Sequence, residues 1–213
     1  ITGKDTPGGK YGLWRRFREL VDQECLATEK ARFIGDPVAA VAATTEAIAE
    51  EALDLIEVEY EPLPAVFEPM EAIKDDAPRV HDDFDNNINA TRHIEWGDVD
   101  KGFAEADYIR EDRFVIEPQH PVATEVHNSL ASYDKGTGRL TVWSSTQSPY
   151  FVQVGLADAL KMREGDIRVI KPHVGGGFGG KNSTMPDSIN AALLSMKTGR
   201  PVKVVLNRDE EFT

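Results

Sequence analysis

The stretch Val174-Gly175-Gly176-Gly177-Phe178-Gly179-Gly180-Lys181 decides how the rest of the chain is read. Five glycines fall within positions 175 to 180. The backbone there can turn through positive φ, and its N–H groups can approach a bound group closely. An apolar run, Ile167 to Val174, leads into the loop, and a helix-like run, Met185 to Lys197, follows it. A nest of backbone amides between strand and helix suits phosphate or another anion. Phe178 is surplus to such a nest, because holding an anion needs no aromatic. A bound cofactor is the expectation.

Three readings of the loop stay open on these residues alone. Gly175, Gly177 and Gly180 fit the G-x-G-x-x-G dinucleotide pattern. That pattern asks for an acid about 20 residues on, whereas the first acid beyond the next strand, Pro201 to Leu206, is Asp209. The approach through Lys171-Pro172-His173 also interrupts the apolar run expected of a buried parallel strand. A nucleotide site would need Asp209 to face a ribose. The other readings are a ligand-free glycine hairpin and a site for a different cofactor.

A second motif lies upstream, Arg139-Leu140-Thr141-Val142-Trp143-Ser144-Ser145-Thr146-Gln147-Ser148-Pro149. Leu140 and Val142 alternate with polar residues, which predicts a half-buried strand, and Pro149 ends it. Gln147 then sits at the strand end, where its amide can donate to a ligand while its carbonyl is tied back.

Trp143 to Gln147 followed by Val174 to Lys181 resembles the large, molybdenum-binding subunit of the xanthine dehydrogenase and aldehyde oxidase family. Lys30 to Val41 (KARFIGDPVAAV) and Ile56 to Pro64 (IEVEYEPLP) resemble that family's α/β-hammerhead domain. The resemblance covers nearly all 213 residues and keeps the family's order and spacing. It implies an α+β fold, a partial α/β-hammerhead domain followed by the first part of the molybdopterin-binding domain. The divisions expected are 1–75 for the hammerhead, 76–95 for a linker and 96–213 for the molybdopterin-binding part.

The resemblance also implies a site. The glutamine at the position of Gln147 hydrogen-bonds an oxo ligand of the molybdenum, as an uncharged donor that does not compete as a ligand. Gly176, Gly177, Phe178 and Gly179 pass beside the metal and the pterin dithiolene, which itself holds the molybdenum. Phe178 matches the residue whose backbone meets the cofactor, and a Cβ at Gly177 or Gly179 is expected to displace it. The family reaction hydroxylates an electron-poor carbon with oxygen from water. Electrons leave through iron–sulfur clusters and usually FAD, expected on partner subunits or domains, and the pterin is expected in its cytosine dinucleotide form. The cofactor carries the redox chemistry and the protein orients it.

The family's catalytic base is a glutamate far towards the C-terminus, so no catalytic residue is expected within this chain. The sequence opens at Ile1-Thr2-Gly3 without a Met and is read as an internal piece of a longer subunit, whose remainder is a partner. Such a piece, taken alone, is expected to be poorly soluble and to bind no molybdenum. Glu117 and Glu125 are expected to make structural hydrogen bonds. Asn182, next to the loop lysine, stands where xanthine-oxidising members carry a substrate-binding glutamate. An amide cannot switch charge, which shifts the expectation from purines to aldehydes, aromatic acyl-CoA esters and other N-heteroaromatics. Val80 to Asp83 and Gly97 to Phe103 are similar in texture to the 4-hydroxybenzoyl-CoA reductase branch, which runs the chemistry reductively. A non-catalytic piece that docks neighbouring subunits is the alternative from another class.

Composition narrows the field further. With 40% hydrophobic residues the chain can build a core, and its length suits one or two domains. The net charge of −13 repels phosphate backbones and argues against nucleic acid as a partner. One cysteine, Cys25, rules out an internal disulfide or a Cys-ligated cluster here and reads as a small buried or half-buried residue. The histidines, His81, His93, His120, His127 and His173, are too scattered for a metal pair. His173 adjoins the loop, with a structural role or a place near the cofactor both open. No apolar run reaches the length of a membrane span. The expected compartment is cytoplasmic, with a targeting signal upstream left open.

Along the chain, residues 1 to 26 are expected as loop, Pro37 to Ala43 as a short buried strand, and Thr44 as the cap of a helix through Ile56. Val58 and Tyr60 begin a predicted strand. Asp98 to Ala106 reads as one or two helical turns. Tyr108 to Ile116 and Leu130 to Tyr133 read as strands, with Asp134 to Gly138 as a hairpin turn. Phe151 to Leu160 and Pro186 to Lys197 read as helices, the second closed by Gly199-Arg200-Pro201.

Overall fold

The computed structural model describes residues 1–12 and 21–213. Its elements in chain order are β1 (Lys10–Gly12), β2 (Val21–Glu24), α1 (Glu46–Asp54), α2 (Pro69–Ala72), α3 (Val99–Ala104), β3 (Asn128–Asp134), β4 (Arg139–Ser144), α4 (Pro149–Leu160), β5 (Ile167–Ile170), α5 (Pro186–Thr198), β6 (Val202–Val205) and α6 (Arg208–Glu211). Two compact units result, one of residues 1–65 with 121–213 and one of residues 66–120.

The larger unit is organised by a four-stranded sheet in the order β5-β4-β3-β6. The β3–β4 hairpin forms where the sequence predicts it. Asp134 accepts from the Gly136 N–H at 2.8 Å and the Thr137 hydroxyl at 2.7 Å, and Gly138 supplies the positive φ, 71°, that the turn needs. β4 and β5 run parallel, with Leu140 opposite Ile167 and Val142 opposite Val169, and α4 is the crossover between them. Pro186 opens α5 at a position with no N–H to lose, and Gly199 closes it in the left-handed region at φ 67°. Along β4, Leu140, Val142 and Ser144 point inward. Leu140 and Val142 meet Val152 and Leu156 of α4, Ile189 and Ala192 of α5, and Tyr11 of β1 in one core. Burying each larger aliphatic side chain stabilises the unit by about 1.5–3 kcal/mol.

Cys25 is buried as expected. Burial pushes its thiol up to about 11, and its Sγ lies 3.5 Å from the Ala159 carbonyl. Residues 10–12 and 21–24, expected as loop, form the antiparallel β1–β2 pair instead; the part of that expectation on 13–20 lies outside the described residues. Pro37 to Ala43 is not a strand. Its one ladder contact among the described residues is the bridge of Ala39 to Thr2. The backbone that reaches it is that of Ile1 and Thr2, where Ile1 N donates to the Ala40 carbonyl at 2.8 Å. α1 is capped one residue later than predicted, by the Thr45 hydroxyl. Residues 56–64 and 108–116 form no strands. Their alternation defines two faces, yet no ladder partner lies beside either among the described residues, and Tyr60 and Phe114 are exposed.

The smaller unit is held locally. The Asn87 carbonyl accepts from the Val80 N–H at 2.9 Å while its amide donates to Ala72 and Pro78 at 3.0 and 2.9 Å. Asp98 caps α3 by accepting from the Lys101 N–H, so the helical turn expected at 98–106 is present.

Candidate functional site

Two parallel strands end side by side, and both sequence motifs leave from those ends. Gln147 follows β4 and the glycine loop follows β5, so the crossover topology delivers them to the carboxyl edge of the sheet, where open α/β sheets place ligands. The two then bond to each other. The Gln147 N–H donates to the Lys181 carbonyl at 2.7 Å. Its side-chain carbonyl accepts from the N–H groups of Gly179 at 2.9 Å and Lys181 at 3.3 Å. Thr146 adds a hydroxyl bond to the same Lys181 carbonyl at 3.1 Å. Two donors on one oxygen fix which end of the amide is which. The NH2 of Gln147 has no partner among the described residues, and the side chain is exposed.

The other side of the loop is held by Glu125. Its carboxylate accepts from the Gly175 N–H at 2.6 Å, the Ser145 hydroxyl at 2.8 Å, the Lys181 ammonium at 3.1 Å and the Asn128 amide at 3.2 Å. Partial burial alone would raise its pKa. The Gly175 N–H, then Ser145, Asn128 and Lys181, outweigh that and pull it to about 2. This is the structural hydrogen bonding expected of Glu125. Lys181 is only 1% exposed; its ammonium also reaches the Glu125 carbonyl at 2.7 Å and the Ser145 hydroxyl at 2.8 Å, which satisfies all three donors. The Gly180 carbonyl accepts from His127 Nε2 at 3.2 Å, and His127 Nδ1 pairs with Glu211 at 2.9 Å. The N–H groups of Gly175, Gly179, Gly180 and Lys181 are thus consumed by the protein itself. Those of Gly176, Gly177 and Phe178 have no partner among the described residues.

The glycines serve distinct ends. A Cβ at Gly177 would lie 2.6 Å from Gln147 Oε1 and 2.7 Å from its Cδ. The lack of a side chain at Gly177 thus makes room for Gln147. Gly179 has φ 97° and nothing within 4 Å of a Cβ, so the space there is open to a ligand. A Cβ on Gly176, φ 102°, would meet the Phe178 ring at 3.0 Å. Phe178 itself is left-handed at φ 50° and 76% exposed, a conformation that costs a non-glycine residue about 1–2 kcal/mol. Asn182 is exposed beside the cradle, its side-chain oxygen on the Ser148 hydroxyl. His173 is exposed at the entrance.

This geometry removes the nucleotide reading. A mononucleotide unit sets the strand after the loop helix beside the strand before it, whereas β5 and β6 stand at opposite edges of the sheet. Asp209 lies on α6, beyond β6. Among the described residues no three His, Cys, Asp or Glu side chains gather as a metal site. A metal at this cradle would bring ligands of its own. Neutral donors from Gln147 and residues 176–178, with open space at Gly179, fit a metal carried by an organic ligand. Lys181, Ser145 and Glu211 were given no role from the sequence, and His127 was read only as one of five scattered histidines; only the position of Lys181 at the loop exit could have signalled one of them.

Fold and cradle together define an α+β cofactor-binding chain. Residues 80–213 match the molybdopterin cofactor-binding domain family, and residues 1–64 match the aldehyde oxidase and xanthine dehydrogenase a/b hammerhead domain. The chain is 38% identical over 199 residues to the nicotinate dehydrogenase large molybdopterin subunit of Eubacterium barkeri, covering 93% of this chain and 46% of that one. It is 35% identical over 211 residues to a xanthine dehydrogenase molybdenum-binding subunit of Escherichia coli, covering 97% and 27%. The crystal structure of quinoline 2-oxidoreductase from Pseudomonas putida 86 superposes with a TM-score of 0.85 at 32% identity, covering 100% of this chain and 27% of that one. The chain therefore belongs to the xanthine dehydrogenase family of molybdopterin-binding large subunits. It spans between a quarter and a half of the length of these relatives.

Proposed function

We propose that this chain forms one wall of a molybdenum-pterin site in an oxidoreductase that hydroxylates an electron-poor carbon of an N-heteroaromatic or an aldehyde. The observation that carries the reading is the Gln147 amide, its carbonyl taken by Gly179 and Lys181 and its NH2 left to donate outward. When bound, the cofactor supplies the redox chemistry, accepting the electrons of the oxidised carbon. Gln147, Gly176, Gly177, Phe178 and Gly179 would hold it: the amide orients it by a neutral hydrogen bond, residues 176–178 offer N–H groups, and Gly179 leaves room. The exposed Phe178 ring offers an apolar face to a planar substrate. Asn182, on Ser148, offers an amide that can donate or accept at neutral charge, which suits a ring nitrogen. Similarity to a nicotinate dehydrogenase subunit and a quinoline oxidoreductase supports the N-heteroaromatic class. The reductive acyl-CoA chemistry rests only on residues 80–83 and 97–103. No residue of the chain is assigned as the catalytic base.

The same reading divides the chain into a hammerhead part (1–75), a linker (76–95) and a molybdopterin-binding part (96–213). It places iron–sulfur and FAD centres on partner subunits or domains, takes the pterin as the cytosine dinucleotide, and puts the enzyme in the cytoplasm. Among the described residues no helix is long and apolar enough to cross a membrane.

The test is elemental mass spectrometry and pterin analysis of the enzyme purified from its source, wild type and Gln147→Ala. Near-stoichiometric molybdenum and pterin are expected, with a Mo(V) paramagnetic signal altered by the substitution. A folded wild-type enzyme without molybdenum would end the proposal.

A further inference from the structure

Glu125 touches neither the open N–H groups nor the exposed amide, yet it pairs with Lys181, which bonds Gln147 twice. Its carboxylate holds the entry of the loop through the Gly175 N–H and the exit through the Lys181 ammonium. Lys181 in turn is bonded to Gln147 in both directions, carbonyl to backbone N–H at 2.7 Å and N–H to side-chain Oε1 at 3.3 Å. One residue thus joins the carboxylate to the amide, by its side chain on one side and its backbone on the other.

The segment that carries Glu125 is itself fixed from α6. Arg208 donates to the carbonyls of Ala123 and Thr124, each at 3.0 Å. Glu211 accepts from the His127 N–H at 2.8 Å, and His127 reaches the Gly180 carbonyl. We propose that Glu125 is a positioning residue for Gln147, acting through Lys181. This rests on the molybdenum-pterin reading of the same site.

The physics is that of a buried ion pair. Lys181, almost wholly buried, has one carboxylate against its ammonium among the described residues. If that carboxylate becomes an amide, the ammonium must find another counter-charge or move toward water. Any such movement shifts the Lys181 backbone and therefore both of its bonds to Gln147. The Gly175 N–H loses its charged acceptor at the same time, so both ends of the loop loosen together.

The experiment compares Glu125→Gln with Ser195→Ala in the purified holoenzyme. Ser195 is fully buried at the far end of α5, bonded to Tyr133 and Arg200, and its loss perturbs the fold without touching the loop. For Glu125→Gln we expect amide exchange in 175–181 to accelerate at least tenfold, the Mo(V) signal to change shape, and kcat to fall at least tenfold with KM within about threefold. Ser195→Ala should lower thermal stability and leave all three unchanged. If Glu125→Gln cannot be recovered folded, Ser145→Ala removes one hydroxyl shared by Glu125 and Lys181, and the same changes are expected at smaller amplitude. Glu125→Gln or Ser145→Ala behaving like Ser195→Ala overturns the proposal. A wild-type enzyme without molybdenum would instead remove the functional reading, while accelerated loop exchange in Glu125→Gln would still establish the brace itself.

Discussion

Alanine at Gly177 should loosen the loop through Gln147, whose side chain supplies the three atoms nearest a Cβ there. Its methyl would stand 2.6 to 2.8 Å from Oε1, Cδ and Cγ of that side chain. Those distances are too short to tolerate, and three consecutive atoms cannot be relieved by rotating the tip. Gln147 must swing out, releasing the N–H groups of Gly179 and Lys181. Two hydrogen bonds at about 0.5–1.5 kcal/mol each ease local opening by about 1–3 kcal/mol. At 1.4 kcal/mol per tenfold, exchange of those two amides should accelerate roughly 5- to 140-fold. Gln147→Ala removes the same acceptor and should give a similar acceleration. In the double variant the three atoms the methyl would strike are gone, so exchange should stay within about twofold of Gln147→Ala alone. Native-state hydrogen exchange of the loop peptide, read as a double-mutant cycle, measures the coupling. Accelerations that multiply would show that Gly177 is required for some reason other than Gln147, and the account of the cradle would fail.

Two further outcomes follow from the same structure. The Glu125 carboxylate is drawn from 4.5 to about 2 in the folded chain, so its contribution is complete above pH 4.5 and is lost as pH falls towards 2. That fall is worth about 3 kcal/mol by linkage, reduced to roughly 1–2 kcal/mol by solvent screening of a side chain 28% exposed. Urea unfolding followed from pH 5 to pH 2 should show it in the wild type and not in Glu125→Gln, and identical pH slopes would refute it. Gly9→Ala would set a methyl 2.2 Å from the Ala159 carbonyl oxygen and 2.3 Å from that of Asp158. Backbone at the end of α4 cannot yield, so about 3 kcal/mol should be lost, visible as a lower thermal midpoint. An unchanged midpoint would mean that β1 is not docked on α4.

What the sequence made legible is what neighbours in sequence decide. Asp134-Lys135-Gly136-Thr137-Gly138 carries its own turn chemistry, and α5 carries its own stop in Gly199, so both elements appear within two residues of their predicted bounds. Gln147 and the loop were legible because each follows an apolar strand and breaks its pattern. Strand alternation at 58–60 and 108–116 misled, since alternation records which faces a strand would have and says nothing of whether another strand lies beside it. The pairs that fix the loop were hidden for a related reason. Lys181 and Glu125 lie 56 residues apart, and Glu211 and His127 lie 84 apart. An isolated Glu among 37 acidic residues carries no mark that it will meet a buried ammonium.

The glycine run invites a picture of flexibility, and the distances argue for the opposite. A Cβ at Gly175 would strike Glu125 at 2.7 Å, one at Gly177 would strike Gln147, and one at Gly180 would strike Pro121 at 2.9 Å. At these three positions another residue occupies the place of the missing side chain, so this part of the loop is glycine-rich because it is closely packed. Close packing on one face leaves the other face, from Gly176 to Gly179, as the part of the loop where N–H groups and empty space remain together. A neutral donor presented from such a surface keeps its direction without reorganising when a ligand arrives, the condition under which a single hydrogen bond can orient a metal centre. On the proposed molybdenum-pterin reading, the brace from Glu125 and the clearance at Gly177 are two parts of one requirement, that the Gln147 amide be held in one direction for the cofactor.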